Sequence, residues 1–467
     1  MTRGNFLEQD LKLLINNPKY SDIEILCKDE KKLYACRAIL AARSEVLDGL
    51  LYNGMKESFE KQISFPTINS TGMEIILEYI YVGSIKDDSL TKDNIVETYY
   101  AADYFQLQGL QEFILETLKN TLEKNYAKNY SPELLSKVVE IMPLSENNIL
   151  FDLLVKEIAN TLLNDIEIGR LTITALQYFL FYTYEKEIPF ATSEYEVFRY
   201  SAILAAKQVS DDTYKIIMEQ LPTLEQIEKS IQVVNKYITN HQKVAKELEP
   251  LIEYIDFSRI KKGQFDFIEP LKIIPAEIIQ HTLESSDSDL SNIRGIPIYR
   301  IKESELVWDE FACGSGITIE DDEKVVQASF NGCYRHKSVR AKKALENEGI
   351  FEWDVIIEKN CTWSWIGVCA SEGFNYENFA GTQRTGWVLG SGGKCNSVNG
   401  SYYCPSFHED GARITVHLNL SKRTCAFTVN GIKYREITEW DDLPSKLYPV
   451  VSLCHPGRFR IQPHHYL

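Results

Sequence analysis

Residues 34–58 constrain the fold of this 467-residue chain more than any other segment. Their apolar side chains recur at steps of three and four, which places them on one side of a helix and leaves Arg43, Glu45 and Asp48 to water. Gly54 is expected to end the helix, because glycine takes the left-handed cap conformation without a Cβ clash. Met55-Lys56-Glu57 then follows, either as an ordinary polar loop or as a docking point. The apolar set is Ala38, Ile39, Ala41, Ala42, Val46, Leu47, Leu50 and Leu51.

The first residues carry a second apolar stripe. Residues 6–16 are predicted to form a short helix with Phe6, Leu7, Leu11 and Leu14 on one face. Such a stripe either packs on its own domain or binds a partner chain. Alternating residues at 23–27 predict a strand, and the patterns at 73–82 and 94–110 predict further helices.

Taken together, residues 20–118 resemble a BTB/POZ domain, which has an α/β fold. The resemblance rests on Ser21-Asp22, on LYACRAILAARSEVL at 33–47, on GMKE at 54–57, on LEYIYVGSI at 77–85 and on AADYFQLQGL at 101–110. Cys36 stands where the family usually has a histidine.

The resemblance implies two protein contacts. Members of the family commonly dimerise through an N-terminal helix, which assigns residues 1–19, with Phe6, Leu7, Leu11 and Leu14, to a homodimer interface. Many bind a cullin scaffold through a hydrophobic-x-Glu element just past the long helix, which assigns Met55 and Glu57 to cullin binding. Methionine fills an apolar slot adaptably, and a glutamate pairs with a base or a backbone donor.

Residues 119–279 show a helical pattern almost throughout and are predicted to form an all-α domain. Ser131-Pro132 is a helix start, with proline in the first turn. The passages at 175–207 and 251–260 resemble the BACK module that follows many BTB domains; the alternative is an unrelated helical spacer. Residues 280–304 are rich in serine and aspartate near their start and are predicted to be a linker or exposed loop.

The pattern changes from helix to strand after residue 304. Alternating segments at 349–357, 364–370, 413–420, 424–432 and 447–453, with a tight turn at Asn430-Gly431, predict an all-β sandwich. Residues 305–467 resemble a SPRY domain, through GIFEWDV, WIGV, GW, FTVNG and LYPVV in that order. Asn419 departs from the family, which often has an aspartate there.

SPRY domains generally bind peptides or protein surfaces on loops at one end of the sandwich. Aromatic anchors beside amides and hydroxyls suit such recognition. The alternative for each aromatic is a place in the core or at the rim, and His455 replaces a tryptophan found in some related domains. The candidate substrate-binding residues are Phe374, Tyr376 and Phe379 in one loop, Tyr402 and Tyr403 in a second, and His455 in a third.

The composition disfavours several other classes of protein. A net charge of −17 repels nucleic acid, and the basic residues between 335 and 343 are expected to be a solvated face. We expect no membrane segment and a reducing compartment, because the apolar run at 175–184 is short and the ten cysteines lack Cys-x-x-Cys spacing. We expect no cofactor; His464 and His465 have no further metal ligands at a recognisable spacing.

Catalytic motifs are also missing from the sequence. The segment GSGGK at 390–394 is predicted to be a hairpin loop rather than a phosphate loop, because Cys395 follows the lysine. We therefore expect a non-catalytic, cytoplasmic protein, with a nuclear location left open: a homodimeric adaptor of a cullin-RING ubiquitin ligase whose SPRY domain binds the substrate. The alternative is a non-degradative scaffold in signalling or the cytoskeleton.

Overall fold

The computed structural model describes residues 4, 6–54, 56–124, 129–142, 148–184, 186–229, 240–285, 291–330, 335–361, 363–396, 400–440 and 443–464. The chain forms two compact units, Met1–Glu157 with Gly169–Tyr178, and Ile158–Ile168 with Phe179–Leu467. Within the described ranges, no helix is both long enough and apolar enough to cross a membrane.

The first unit contains a small sheet in the strand order β2-β1-β3, packed with helices. The predicted alternation at 23–27 is confirmed, because every second residue of β1 is buried. β1 pairs with β2 in antiparallel fashion and with β3 in parallel. The elements are α1 (Leu7–Lys12), β1 (Ile23–Cys27), β2 (Lys32–Ala35), α2 (Arg37–Arg43), α3 (Glu45–Tyr52), α4 (Lys56–Phe59), β3 (Gln62–Phe65), α5 (Ser70–Val82), α6 (Ile95–Tyr104) and α7 (Gln108–Lys124).

The single helix predicted over residues 38–51 is instead two helices, α2 and α3. Ser44 separates them in an extended conformation, with φ −145° and ψ 120°. Its hydroxyl accepts a hydrogen bond from Leu47 N at 3.3 Å and donates one to the carbonyl of Phe105 at 3.1 Å. A serine that caps the next turn competes with a continuous helix, which explains the break.

The helical middle region is confirmed, and α8 begins at the predicted Ser131-Pro132 start with the proline in its first turn. Between α10 and α11, Pro189 and Phe190 form a short strand. The elements are α8 (Ser131–Ile141), α9 (Ile149–Ala159), α10 (Ile173–Tyr184), β4 (Pro189–Phe190), α11 (Glu194–Val209), α12 (Asp211–Gln220), α13 (Leu224–Glu228), α14 (His241–Ile252), α15 (Phe265–Ile268), α16 (Ala276–Ser285) and β5 (Ile296–Tyr299).

The described parts of residues 280–304, which were predicted to be a linker or exposed loop, include the end of a helix and a strand. α16 extends to Ser285, and β5 pairs in parallel with β4 on one side and with β10 (Ile350–Lys359) on the other. Arg294 is buried and donates to the carboxylate of Glu194 at 2.5 and 2.7 Å. A buried guanidinium requires a partner, and Glu194 provides it. The described parts of the segment therefore contact both the helices and the strands of the second unit.

The C-terminal region is the predicted β-rich sandwich. One sheet runs β15-β14-β13-β10-β17-β8-β7 and the other β12-β11-β16-β9-β6, around a core that includes Trp308, Trp353 and Phe427. Asn430 and Gly431, both with positive φ, make the predicted tight turn. The strands are β6 (Trp308–Cys313), β7 (Ile317–Glu320), β8 (Val325–Ala328), β9 (Lys337–Ala341), β10 (Ile350–Lys359), β11 (Trp365–Cys369), β12 (Gly386–Gly390), β13 (Ala412–Asn419), β14 (Thr424–Val429), β15 (Ile432–Lys433), β16 (Tyr448–Leu453) and β17 (Arg458–Pro463).

Candidate protein-binding sites

The predicted dimerisation stripe on and beside α1 is partly packed and partly exposed. The helix lies against α5, and Leu11 and Leu14 are half-buried. Phe6 and Leu7 remain largely exposed. The stripe thus combines packing within its own unit with an apolar surface open to solvent, and its role in dimerisation stays a prediction.

Side chains hold the backbone that follows α3 through hydrogen bonds. Arg37 donates to the carbonyl of Ser58 at 2.9 Å and to that of Glu60. Gly54, with φ +75°, donates its N–H to the hydroxyl of Ser58 at 3.1 Å. These contacts hold the described part of the turn between α3 and α4, which we call the α3–α4 corner (residues 52–60 without 55), and none of its described side chains is fully buried.

Two aromatic side chains project from the α3–α4 corner. Tyr52 is 56% exposed and Phe59 is 82% exposed. Both line an open groove of about 550 Å³, whose floor includes Arg37 and Leu51. Glu57 is partly exposed in the first turn of α4, and no cation forms an ion pair with it among the described residues. Met55 lies outside the described residues, so the predicted pair is described only through Glu57.

The loop at 371–384 turns its aromatic residues inward. Phe374 is only 8% exposed and joins a small apolar cluster on the outer face of the second sheet, and Phe379 stacks on Trp365 with the ring centres 5.1 Å apart. Tyr376 is half-buried, and burial raises its pKa. Phe374 is thus a covering residue of the sheet, as in the core alternative, rather than an open anchor.

Hydrogen bonds fasten the same loop to the sheet beneath it. The N–H of Ser338 donates to the carbonyl of Tyr376 at 2.9 Å, and the hydroxyl of Ser338 donates to the carbonyl of Asn378 at 2.7 Å. The N–H of Ala380 donates to the buried hydroxyl of Ser452 at 2.9 Å. The loop is therefore a fixed part of the sandwich.

The remaining predicted substrate residues differ in exposure. Tyr402 is largely exposed, and exposed His455 packs edge to face with the exposed ring of Phe330, at 5.2 Å between centres. Tyr403 is half-buried, where its hydroxyl donates to the carbonyl of Arg435 at 2.7 Å and accepts from Phe427 N at 3.0 Å. Tyr402 and His455 therefore keep an accessible surface, whereas Tyr403 has a structural role.

Sequence reasoning missed Trp363, which is 37% exposed and lies just before β11. His408 packs edge to face on its ring at 6.0 Å, and His336 Nε2 lies 2.7 Å from its carbonyl oxygen. The signal available was the spacing Trp-x-Trp, in which Trp363 precedes buried Trp365. A tryptophan just outside a strand is a good candidate anchor, because it offers a large rigid surface.

The titratable clusters of the sandwich serve its own structure. His464 Nδ1 lies 3.0 Å from Asp354, a fully buried carboxylate. Burial raises the pKa of Asp354, but hydrogen bonds from His464, Arg413 and Thr415 outweigh it and hold the pKa below its usual value. His465 lies outside the described residues, and among those described no group of acidic, histidine or cysteine side chains is arranged to bind a metal.

Four members of the basic run have acidic partners. Lys342 pairs with Glu323 at 2.6 Å and Lys343 with Glu305 at 2.9 Å. Lys337 and Arg340 pair with Glu377 and Asp309 in the same way. These four cations are balanced by carboxylates, which weakens their attraction to a phosphate backbone.

Comparisons with known families agree with this architecture. The BTB/POZ domain family matches residues 11–122, and the SPRY domain family matches residues 350–461. Among solved structures, the SPRY domain of human HERC1 covers 34% of this chain and is itself covered to 98%, at 16% identity and a TM-score of 0.27.

Three curated relatives each match about a quarter of this chain or less. Drosophila melanogaster BTB/POZ domain-containing protein 9 is 32% identical over 119 residues, which are 26% of this chain and 16% of that protein. Xenopus tropicalis Kelch repeat and BTB domain-containing protein 8 is 29% identical over 25% of this chain and 18% of its own length. Human Kelch-like protein 24 is 27% identical over 22% of this chain and 17% of its own length. The chain thus spans less than a fifth of each of these three relatives.

Proposed function

We propose that this chain, which carries a BTB/POZ domain at residues 11–122 and a SPRY domain at residues 350–461, is a homodimeric substrate adaptor of a cullin-RING ubiquitin ligase. Met55 and Glu57 bind the cullin, and α1 contributes to the dimer. The helical region acts as a BACK-like arm, and the SPRY domain binds the substrate. Catalysis belongs to the recruited enzymes, and two substrate sites per dimer add avidity for multivalent substrates.

The exposed aromatic pair at the α3–α4 corner carries the proposal. Phe59 and Tyr52 flank the Met55-Lys56-Glu57 segment and leave apolar area in contact with water. Burying such area on binding releases free energy at about 25 cal/mol per Å². Aromatic anchors beside a charged group are typical of the few residues that dominate a protein–protein interface. Hydrogen bonds from Arg37 and Gly54 hold the described backbone beside this pair, which lowers the ordering cost of binding.

Calorimetry tests the proposal directly. Full-length protein is titrated against the N-terminal region of the BTB-binding cullin, beside a Met55→Ala/Glu57→Ala double variant. Loss of two central interface residues should weaken binding by about 30-fold or more. Lys56→Ala is the matched control, because Lys56 lies between the two and pairs with Glu60 on the exposed side of α4 at 3.1 Å.

Each outcome of the titration has a clear consequence. Binding that is lost in a folded, dimeric double variant and kept in Lys56→Ala supports the adaptor. If the folded wild-type dimer does not bind, or if the double variant binds as the wild type does, the cullin proposal is wrong. The protein would then be a scaffold whose BTB/POZ domain only dimerises.

A further inference from the structure

Two cysteines that are far apart in the sequence lie side by side in the SPRY domain. Cys361 follows β10, and Cys454 follows β16. Their side chains are in hydrogen-bonding contact, and both carry thiols rather than a disulfide. A Cβ added at Gly457 would lie 3.2 Å from the sulfur of Cys361 and 2.9 Å from the carbonyl oxygen of Cys454, so a larger residue there would press on both. We call the two cysteines the thiol pair.

A histidine and a backbone carbonyl hold the thiol pair. His336 and Cys454 adjoin the last paired residues of the antiparallel strands β9 and β16. His336 Nε2 lies 3.6 Å from the sulfur of Cys454 and 2.7 Å from the carbonyl oxygen of Trp363. The same carbonyl accepts a hydrogen bond from the thiol of Cys361 at 3.0 Å. Both sulfurs are therefore positioned by groups that come from two other strands or their approaches.

The contacts of the two thiols differ. The contact with Cys454, together with burial, raises the pKa of the Cys361 thiol. Burial lowers the pKa of His336, but the contacts with Cys454 and with the carbonyl of Trp363 outweigh it and raise the pKa above its usual value. An imidazolium beside a cysteine stabilises the thiolate, which is the nucleophilic form. These contacts favour Cys454 as the thiol that ionises first.

The thiol pair lies close beneath the surface. Cys361 is 3% exposed and Cys454 is 7% exposed, and the next residue, His455, is exposed. Oxidation of a cysteine follows its thiolate character and its access to the oxidant, and a small uncharged oxidant needs the least access. In a reducing compartment, disulfides are usually transient and redox-sensing rather than structural.

We propose that Cys361 and Cys454 form a reversible disulfide when the protein meets hydrogen peroxide. The Cys454 thiolate attacks one peroxide oxygen, so that an S–O bond forms, the O–O bond breaks and the sulfur becomes a sulfenic acid. The hydroxide that leaves takes up the proton that Cys454 lost. The sulfur of Cys361 then attacks the sulfenic acid, the S–S bond forms, and the hydroxyl group leaves as water with the proton of Cys361. The two thiols are thus oxidised to a disulfide, and the peroxide is reduced to water.

The disulfide joins the segment after β10 to the end of β16. Cys454 directly precedes His455, one of the predicted substrate-binding residues, so oxidation alters the sandwich beside a candidate binding loop. It also removes the thiolate that faces His336. The inference goes beyond the proposed adaptor function and does not depend on it.

Peptide mapping of the full-length protein tests the proposal. The folded chain is treated with a small molar excess of hydrogen peroxide, the remaining thiols are alkylated, and the digest is analysed by mass spectrometry without reduction. We expect a cross-linked peptide that joins Cys361 to Cys454 as the main disulfide product, and dithiothreitol should restore both thiols. The same treatment in urea is the control, because the unfolded chain no longer holds the thiol pair together.

Two variants separate the roles of the sulfurs. In Cys361→Ala, peroxide should leave a sulfenic acid on Cys454, which dimedone traps. In Cys454→Ala, labelling of Cys361 by dimedone should be at least about tenfold lower, the factor that one pKa unit gives in thiolate population. Cys369→Ala is the matched control, because Cys369 is fully buried in β11 and burial raises its pKa, and this variant should form the disulfide as the wild type does.

The proposal is overturned if peroxide gives no disulfide in the folded wild type, if either cysteine pairs mainly with another cysteine, or if the pair forms equally well in urea. Dimedone labelling of Cys361 in Cys454→Ala that equals the labelling of Cys454 in Cys361→Ala would show the assigned order of attack to be wrong. The mapping of the wild type decides the pairing even if a variant fails to fold.

These outcomes are independent of the cullin titration. A disulfide without cullin binding leaves a redox-sensitive SPRY domain and removes the adaptor. Cullin binding without the disulfide leaves the adaptor and removes the redox site.

Discussion

Two segments of this chain carry the same sequence signal, aromatic residues near or within a polar loop, and they fold in opposite ways. At the α3–α4 corner, Tyr52 and Phe59 face solvent. In the loop at 371–384, Phe374 is buried and Phe379 stacks on Trp365. Loop composition alone therefore does not separate a binding anchor from a covering residue.

The surface beneath each segment explains the difference. The loop at 371–384 crosses an outer sheet face that carries the apolar residues Trp365, Val388 and Val450. Covering these side chains removes apolar area from water and so stabilises the fold. The α3–α4 corner is instead held through main-chain groups by Arg37 and Ser58. Those hydrogen bonds do not involve the rings of Tyr52 and Phe59, so the two rings remain available to a partner.

The largest expected effect comes from truncating one aromatic in each segment. Phe374→Ala removes a buried ring and should destabilise the sandwich by about 3 kcal/mol, whereas Phe59→Ala should change stability by less than about 0.5 kcal/mol. All six tryptophans lie between residues 308 and 440, so tryptophan emission in urea reports on the sandwich alone. Helical circular dichroism follows the Phe59→Ala protein. Equal effects of the two substitutions would break the comparison.

Most of the fold follows from local pattern. The strand at 23–27, the helix start at Ser131-Pro132 and the turn at Asn430-Gly431 each rest on a rule of periodicity, capping or turn chemistry that acts within a few residues. The break at Ser44 also has a local cause, since serine is a preferred N-cap, but the apolar periodicity across it is continuous.

The candidate sites depend more on contacts between distant residues. Arg294 pairs with Glu194, which lies 100 residues earlier in the sequence. No local pattern in the serine-rich segment predicts that ion pair. Whether Phe374 is buried depends on a sheet face assembled from β11, β12 and β16. Domain boundaries and site residues predicted from the sequence stay predictions.

An intermediate effect should come from the serines that hold the two segments. Ser452 is fully buried, and Ser452→Ala leaves the N–H of Ala380 without its acceptor, which should cost about 1–3 kcal/mol. Ser58→Ala is the matched change, and water can replace its contact with exposed Gly54, so we expect less than about 0.5 kcal/mol. Tryptophan emission gives the urea midpoint of Ser452→Ala, and helical circular dichroism gives that of Ser58→Ala. A Ser452→Ala protein as stable as the wild type would mean that the aromatic contacts and the hydrogen bonds from Ser338 hold the loop without Ser452.

The smallest expected effect is a dependence on acid in the loop at 371–384. Lys337 and hydrogen bonds from Ser315 lower the pKa of Glu377 from 4.5 to about 2. A carboxyl with a depressed pKa in the folded chain stabilises the fold above the unfolded pKa. Its contribution is therefore complete above about pH 4.5 and is lost as the pH falls toward about 2. Arg37 fastens the α3–α4 corner through backbone carbonyls, which do not titrate in this range.

The Glu377→Gln variant isolates this contribution, because every other carboxyl titrates identically in both proteins. Glu377 is half-exposed, so solvent screening limits its effect to about 0.5 kcal/mol or less. The urea midpoint of the wild type should exceed that of Glu377→Gln at about pH 6, and the gap should narrow at about pH 3. A gap that is unchanged or wider in acid would show that Glu377 does not hold the loop through its charge. The aromatic cover and Ser452 would then account for the difference between the two segments.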